Sequence, residues 1–336
     1  MEKRVSTSYL LDPEIRPAIE AFPKISIASE HLPALRELIA RQYAFADLTD
    51  TGLSRDVIEV PGLKAGQPAV RCLKYTPTQG ARPSGAYLHI HGGGYVMGAP
   101  EMSDARNVRL ASALGITVLS VDYRLAPEHP IPAPLDDCYA ALAWMSQNAK
   151  QLGIDPQRIA IGGESAGGGL ATATAQWARD TGDYPICFQL LTYPMIDDRT
   201  GSAEKPGDPL TGEFIWTRDH NRTGWAYYLG DAVPAAPYVP ARATDLSRLP
   251  PTWIVTAAMD LFRDENIDYA QRLLSAGVAT ELVVYPRVCH GFQQAADAQV
   301  TKRYLRDQLE ALRRGLRIAD QDLVTSGSRS PAPLNN

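Results

Sequence analysis

Ser165 stands in Gly163-Glu164-Ser165-Ala166-Gly167, between an isoleucine-rich apolar run and a stretch from Ala171 to Ala178 with helical character. Gly-x-Ser-x-Gly at a strand-to-helix turn is the nucleophile-elbow pattern. A serine at the tip of such a turn sits in strained backbone, so its neighbours must be small. Gly163 and Gly167 remove the side chains that would collide with it. The Ala166 amide, at the start of the helix, points where negative charge would develop. Taken alone, the same five residues also read as a glycine-rich turn that cradles phosphate. No Gly-Lys-Ser/Thr follows, which excludes a Walker-type loop.

A nucleophilic serine needs a base within hydrogen-bond reach, and the base needs a carboxylate to orient it. His290, in Cys289-His290-Gly291-Phe292, follows an apolar run that ends at Tyr285 and fits the base. Of the other histidines, only His220 also lies beyond the serine, in an irregular stretch. Asp260, just past the run ending at Ala257, fits the orienting acid. Asp264 is its rival, and Asp260 is preferred because the residue nearest a strand end reaches the carboxyl edge of a sheet. Glu265 reads as a structural or cap-adjacent charge.

The oxyanion of an acyl-transfer reaction needs donors. His91-Gly92-Gly93-Gly94 ends an earlier strand and offers amides unobstructed by side chains. As a phosphate loop it would need a following lysine, which is missing. His89 and His91 share one strand face, as a metal pair would, but no third ligand at a recognisable spacing accompanies them. No metal is expected, and His91 is expected to pin the glycine loop by hydrogen bonding.

The elements around these residues alternate. Val57–Val60 and Ala69–Tyr75 read as a hairpin. Strands follow at Ala86–Ile90, Ile116–Val121, the elbow run, Cys187–Tyr193, Trp253–Ala257 and Glu281–Tyr285. Helical stretches lie between them at Arg106–Leu114, Pro134–Lys150 and Asn266–Ala276, and an amphipathic helix closes the series through Tyr304 to Leu312. Strand, helix, strand at this spacing predicts right-handed crossovers and an α/β fold with a mostly parallel sheet. Residues 1–50 are helical in character, with Leu32–Ile39 in helical spacing. Residues 197–240 are rich in Gly, Pro and charge and too long for a plain connection, which predicts a lid or cap. The core is therefore expected over 51–196 and 241–318, with a flexible tail over 319–336.

The chain has 336 residues, 45% apolar and 21% charged, the balance of a soluble globular protein. A net charge of −5 and the lack of a basic block give nucleic-acid binding no electrostatic support. Met1 to Val5 lack the apolar run of a signal peptide, and no stretch approaches a membrane span, so a cytoplasmic location is expected. Cys72, Cys138, Cys187 and Cys289 are scattered and read as buried free thiols.

Together, His91-Gly-Gly-Gly-Tyr95, Asp122-Tyr-Arg-Leu-Ala-Pro-Glu128, Gly163-Glu-Ser-Ala-Gly-Gly168, Asp260-Leu-Phe-Arg-Asp-Glu265 and His290-Gly-Phe292 resemble the hormone-sensitive-lipase-like (family IV) bacterial carboxylesterases. The resemblance covers about residues 57–315. It implies an α/β-hydrolase fold whose sheet is flanked by helices and topped by a helical cap from the N-terminus and the later insertion. It implies Ser165, Asp260 and His290 as the triad, and the amides of Gly93, Gly94 and Ala166 as the oxyanion hole, with Gly92 an alternative to one of the glycines. The expected activity is hydrolysis of carboxylic esters of short to medium acyl chains through an acyl-enzyme, with no cofactor. An amidase or peptidase on the same fold, and a receptor without catalysis, are the competing readings. Relatives in the family form dimers, so a homodimer is an open expectation. Glu164 stands where many members have Asp and has no role assigned by sequence; Leu261 replaces a common Pro.

Overall fold

The apolar runs pair into one sheet because each is too short and too β-branched or aromatic for a buried helix. The computed structural model describes residues 6–79 and 83–319. Its strands are β1 (Leu53–Val60), β2 (Val70–Pro77), β3 (Ser84–Ile90), β4 (Thr117–Val121), β5 (Ile154–Glu164), β6 (Phe188–Thr192), β7 (Thr252–Ala257) and β8 (Thr280–Tyr285). They lie in the order β1-β2-β4-β3-β5-β6-β7-β8. The β1–β2 hairpin is antiparallel, and β2 meets β4 antiparallel; the pairs from β4 through β3 to β8 are parallel. The carboxyl ends of the strands carrying the candidate residues therefore share one edge.

The helices are α1 (Arg16–Glu20), α2 (Leu32–Gln42), α3 (Asp104–Leu114), α4 (Ala133–Gln147), α5 (Ala149–Leu152), α6 (Ala166–Thr181), α7 (Arg218–Leu229), α8 (Arg263–Ser275) and α9 (Gln299–Gly315). Side chains alternate across the strands. Leu88, Ile90 and Leu191 join Leu135, Leu142, Leu170 and Leu273 of α4, α6 and α8 on one face. Tyr87, Val118 and Leu190 join Leu110, Leu114, Tyr304 and Leu312 of α3 and α9 on the other. Burial on both faces is why the central strands read as continuous apolar runs.

Several boundaries differ from the sequence reading. The helix expected over Pro134–Lys150 breaks at Asn148, which caps α5. The elbow helix begins at Ala166, so Gly167, Gly168 and Gly169 are helical despite their poor propensity; close backbone packing overrides it. The stretch 197–240 is not wholly irregular, since α7 lies within it and carries His220 in a capping box with Thr217. Cys72, Cys138 and Cys289 are buried, but Cys187 is only half-buried because it lies just before β6. The expected tail lies outside the described residues except for Ala319.

The two peripheral segments meet the core where the site lies. Leu11, Ile15 and Ile19 enter the apolar cluster that contains Val288 and Phe292, and the Asp12 amide donates to Arg287 O at 2.7 Å. From α2, Arg36 donates to Val96 O and Ala126 O, both at 2.8 Å, and pairs with Glu128 at 2.9 Å. The insertion docks through aromatics: Tyr228 stacks on Tyr95 at 4.0 Å and Trp225 meets the same ring edge-on at 5.2 Å. Glu213 accepts from the Thr7 amide at 2.7 Å, which joins the insertion to the N-terminal segment.

Glu265, read as a structural or cap-adjacent charge, lies in the first turn of α8 and is buried, and its Oε1 accepts from the Ile196 amide at 2.8 Å. Burial pushes its carboxyl well above the ordinary value of 4.5. The unfolded chain ionises this group near its ordinary value, whereas the folded chain keeps the proton to much higher pH. The stability it contributes is thus whole at acid pH and is lost as pH rises through the folded value. Glu265→Gln removes that titration, so its urea midpoint is expected to fall less than wild type from about pH 5 to about pH 8.

Candidate active site

The end of β5 turns into α6 at Ser165, whose backbone adopts φ 56° and ψ −123°. That region costs a non-glycine residue about 1–3 kcal/mol, and hydrogen bonds hold it there. The Ser165 amide donates to Thr192 O at 2.9 Å, and Ser165 O accepts from the Met195 and Gly169 amides at 2.9 and 3.0 Å. The flanking glycines are required by close approach. A Cβ on Gly163 would sit 2.1 Å from Ile90 O, and one on Gly167 would sit 2.1 Å from the same oxygen. The elbow is pressed directly against the end of β3.

The structure brings Ser165, His290 and Asp260 together. Ser165 Oγ donates to His290 Nε2 at 3.0 Å, and His290 Nδ1 donates to Asp260 Oδ2 at 2.7 Å. Asp260 is fully buried, and its other oxygen accepts from the Phe262 amide at 2.9 Å. With Nδ1 donating to Asp260, Nε2 is free to accept from the serine. The ring lies between Tyr193, at 4.4 Å, and Phe262, at 5.3 Å. The two loops are stitched together by the Ala258 amide to Tyr285 O and the Met259 amide to Val288 O, both 2.9 Å. Asp264 points elsewhere: it is exposed and pairs with Arg263 at 2.7 Å. His220 is also remote in its bonding, with Nε2 at 3.2 Å from Ile25 O.

The glycine loop lies alongside. Gly93 and Gly94 take φ 124° and 60°, and the Val96 and Met97 amides both return to Gly93 O at 3.1 Å. A Cβ on Gly92 would be 3.4 Å from Ser165 Cβ, which sets the loop against the nucleophile. Among the described residues no protein acceptor takes the Gly93, Gly94 or Ala166 amide. His91 Nδ1 donates to Gly92 O at 2.8 Å, its ring stacks on Tyr123 at 4.3 Å, and Tyr123 donates to His91 O at 3.0 Å. Burial lowers the His91 pKa, so the ring is neutral. His89 instead turns toward Glu164 and Ser120, so the two imidazoles of His89-x-His91 serve different partners.

Three residues here lie outside every sequence motif. Trp216 covers Gly94 so closely that a Cβ there would be 2.0 Å from its Cη2 atom. Ile215, at φ 59°, places its Cδ1 atom 3.1 Å from where a Gly291 Cβ would be, beside His290. Arg106 pairs with Glu164 at 2.6 Å. The aromatic richness of the insertion hinted at Trp216; nothing in spacing links α3 to the elbow.

A sheet with this topology, carrying a serine elbow and an acid–base pair on its carboxyl edge, defines an α/β hydrolase. Residues 87–294 match the family described as alpha/beta hydrolase fold. The chain belongs to that family, in its hormone-sensitive-lipase-like branch. It is similar to the structure of a bacterial heroin esterase, with 43% identity and a TM-score of 0.85 over 93% of this chain and all (100%) of that one. It is 39% identical to esterase LipI of Mycobacterium tuberculosis over 64% of this chain and 67% of the relative. It is 40% identical to carboxylesterase NlhH of the same organism over 61% of this chain and 65% of the relative. The match thus spans about two thirds of each mycobacterial protein's length. These relatives support ester hydrolysis as the reaction of this chain. Among the described residues, no helix is long and apolar enough to cross a membrane.

The tightness of the elbow is open to direct test. Gly163→Ala must separate β5 from Ile90 O, and overpacking of this kind costs about 1–3 kcal/mol. A loss of unfolding free energy of that size, seen as a lower urea midpoint, is expected, and an unchanged midpoint would mean that the elbow is not pressed against β3.

Proposed function

We propose that this chain is a serine carboxylesterase that hydrolyses esters of short to medium acyl chains, with Ser165, His290 and Asp260 as its triad. The observation that carries the reading is the continuous hydrogen-bond chain from Ser165 Oγ through His290 to Asp260. His290 Nε2 takes the serine proton as Oγ attacks the ester carbonyl carbon. The carbonyl oxygen becomes an oxyanion facing the amides of Gly93, Gly94 and Ala166, with Gly92 the alternative donor to one of the glycines. Each such donor is worth about 3–4 kcal/mol of barrier. As the intermediate collapses, the carbon–oxygen bond to the alcohol breaks and His290 returns the proton to that oxygen. Water, deprotonated by His290, attacks the acyl-serine, and collapse frees the acid and restores the serine. Asp260 stays ionised, fixes the imidazole tautomer and stabilises the imidazolium. These steps are met by the chain's own groups, so the reading needs no metal or organic cofactor.

The enclosure of Ser165, with Trp216 over Gly94 and Ile215 beside Gly291, favours compact acyl groups over long chains. A receptor reading would need a missing or displaced triad member, and here His290 bonds both Ser165 and Asp260. The unpaired cysteines fit a reducing, cytoplasmic setting. The edge strand β8, with Val284, Ile267 and Leu274 exposed nearby, is the surface that would serve a homodimer.

Ser165→Ala is expected to lower kcat on a short-chain aryl ester by about 10⁶-fold, and Asp260→Asn by about 10⁴-fold. Mass spectrometry after organophosphate treatment should show one adduct, on Ser165. Wild-type rates in Ser165→Ala would refute the assignment. Faster turnover of acyl-amino-acid amides than of the matching esters would move the enzyme to the amidases.

A further inference from the structure

The Glu164 carboxylate takes no part in the steps above, yet it is held on every side. Its Oε1 accepts from Ser103 Oγ at 2.7 Å and pairs with Arg106 at 2.6 Å; Oε2 lies 3.1 Å from His89 Nε2. Burial by itself would raise this carboxyl, but the Arg106 charge, His89 and Ser103 outweigh it and hold it well below the usual carboxylate range. Burial lowers the His89 pKa, so that ring is neutral. Facing an ionised carboxylate, its Nε2 carries the proton, and Nδ1 accepts from Ser120 Oγ at 2.9 Å and Asn107 Nδ2 at 3.2 Å.

Three elements converge on this one side chain. Glu164 ends β5 immediately before the nucleophile; His89 lies on β3, which runs on into the glycine loop; Ser103 and Arg106 open α3. A Cβ on Gly92 would be 3.3 Å from Glu164 Cγ, 3.0 Å from Glu164 O and 3.4 Å from Ser165 Cβ. The glycine loop therefore rests on the Glu164 stem and on the serine together. An ion pair that only anchored α3 to the sheet could sit anywhere along β5. This one sits where the two halves of the oxyanion site meet.

We propose that Glu164, neutralised by Arg106 and steered by His89, is a positioning residue that sets the glycine loop against Ser165. In that setting the Gly93 and Gly94 amides and the Ala166 amide converge on one oxygen. The inference rests on the ester-hydrolase reading and deepens it. Displacements well under the length of a bond weaken such donors, because they act only on the oxyanion and not on the ground-state ester. Loss of Glu164 should therefore appear in kcat and spare KM.

The test uses Glu164→Gln, which keeps the shape and removes the charge, and Glu164→Asp as the conservative variant. The double variant Glu164→Gln/Arg106→Gln leaves no unpaired cation and guards against simple unfolding. Each is assayed on a short-chain p-nitrophenyl ester and against a trifluoromethyl ketone, whose serine adduct places an oxyanion in the site. Folded protein is verified by circular dichroism. For Glu164→Gln the expected result is a kcat lower by about 10- to 100-fold with KM within about twofold, and ketone affinity weakened by a matching factor. Glu164→Asp should recover part of both. Folded Gln and double variants with wild-type kcat and wild-type ketone affinity would overturn the proposal and leave Glu164 an anchor of α3. A wild-type protein with no esterase activity and no organophosphate adduct on Ser165 would instead sink the ester-hydrolase reading, and the proposal with it.

Discussion

The contact between Ile90 O and the elbow is the constraint on which the site depends. Gly163 and Gly167 both pack so tightly on that carbonyl that no side chain fits. Because β3 continues into His91 and the glycine loop, this one contact brings Ser165 and the glycine amides to the same place. The parallel pairing of β3 with β5, with Ile90 opposite Gly163, fixes the register that makes it possible. A slip of one residue would turn every side chain of β5 to the opposite face and strand the serine.

Asp260 and His290 arrive from the other side of the elbow by the same logic. The loops after β7 and β8 are hydrogen-bonded to each other, so Asp260 and His290 move as one unit. That unit is packed on the Tyr193 ring, and the Tyr193 amide in turn donates to Val255 O. Rigid backbone thus supports both halves, while the peripheral segments close over them. The Thr7 amide donates to Glu213, which links the N-terminal segment to the insertion.

The parts that depend on local pattern were legible in the sequence. β-branched runs gave the strands, and the motifs at their ends gave the residues that the fold gathers on one edge. Partnerships across the fold were not legible. Glu164 meets Ser103 and Arg106 only because β3, β5 and α3 converge, and no periodicity encodes that convergence. Glu265 reads from sequence as a structural or cap-adjacent charge, and only the packing of α8 against Ile196 reveals that its carboxyl is buried. The glycines after Ser165 argue against a helix by propensity. Tertiary contact decides otherwise, and it does so at the position where the chain most needs backbone without side chains.

Of the eight non-glycine residues with positive φ among the described residues, four lie around the site. Tyr95, Ser165, Tyr193 and Ile215 all have positive φ, and all four border the glycine loop, the serine or the histidine. For residues with branched or aromatic side chains this conformation persists only where neighbours over-determine it. Here they do: Tyr95 donates its hydroxyl to Met195 O at 2.8 Å, and the Met195 amide donates to Ser165 O at 2.9 Å. The chain of bonds therefore runs from the residue after the glycine loop, through the segment after β6, back to the nucleophile. Tyr95 and Ser165 are thus held through one shared partner, Met195. In the proposed ester hydrolysis, a site held in this way would meet a developing charge with its donors already in place, and the stability given up in the backbone would become preorganisation.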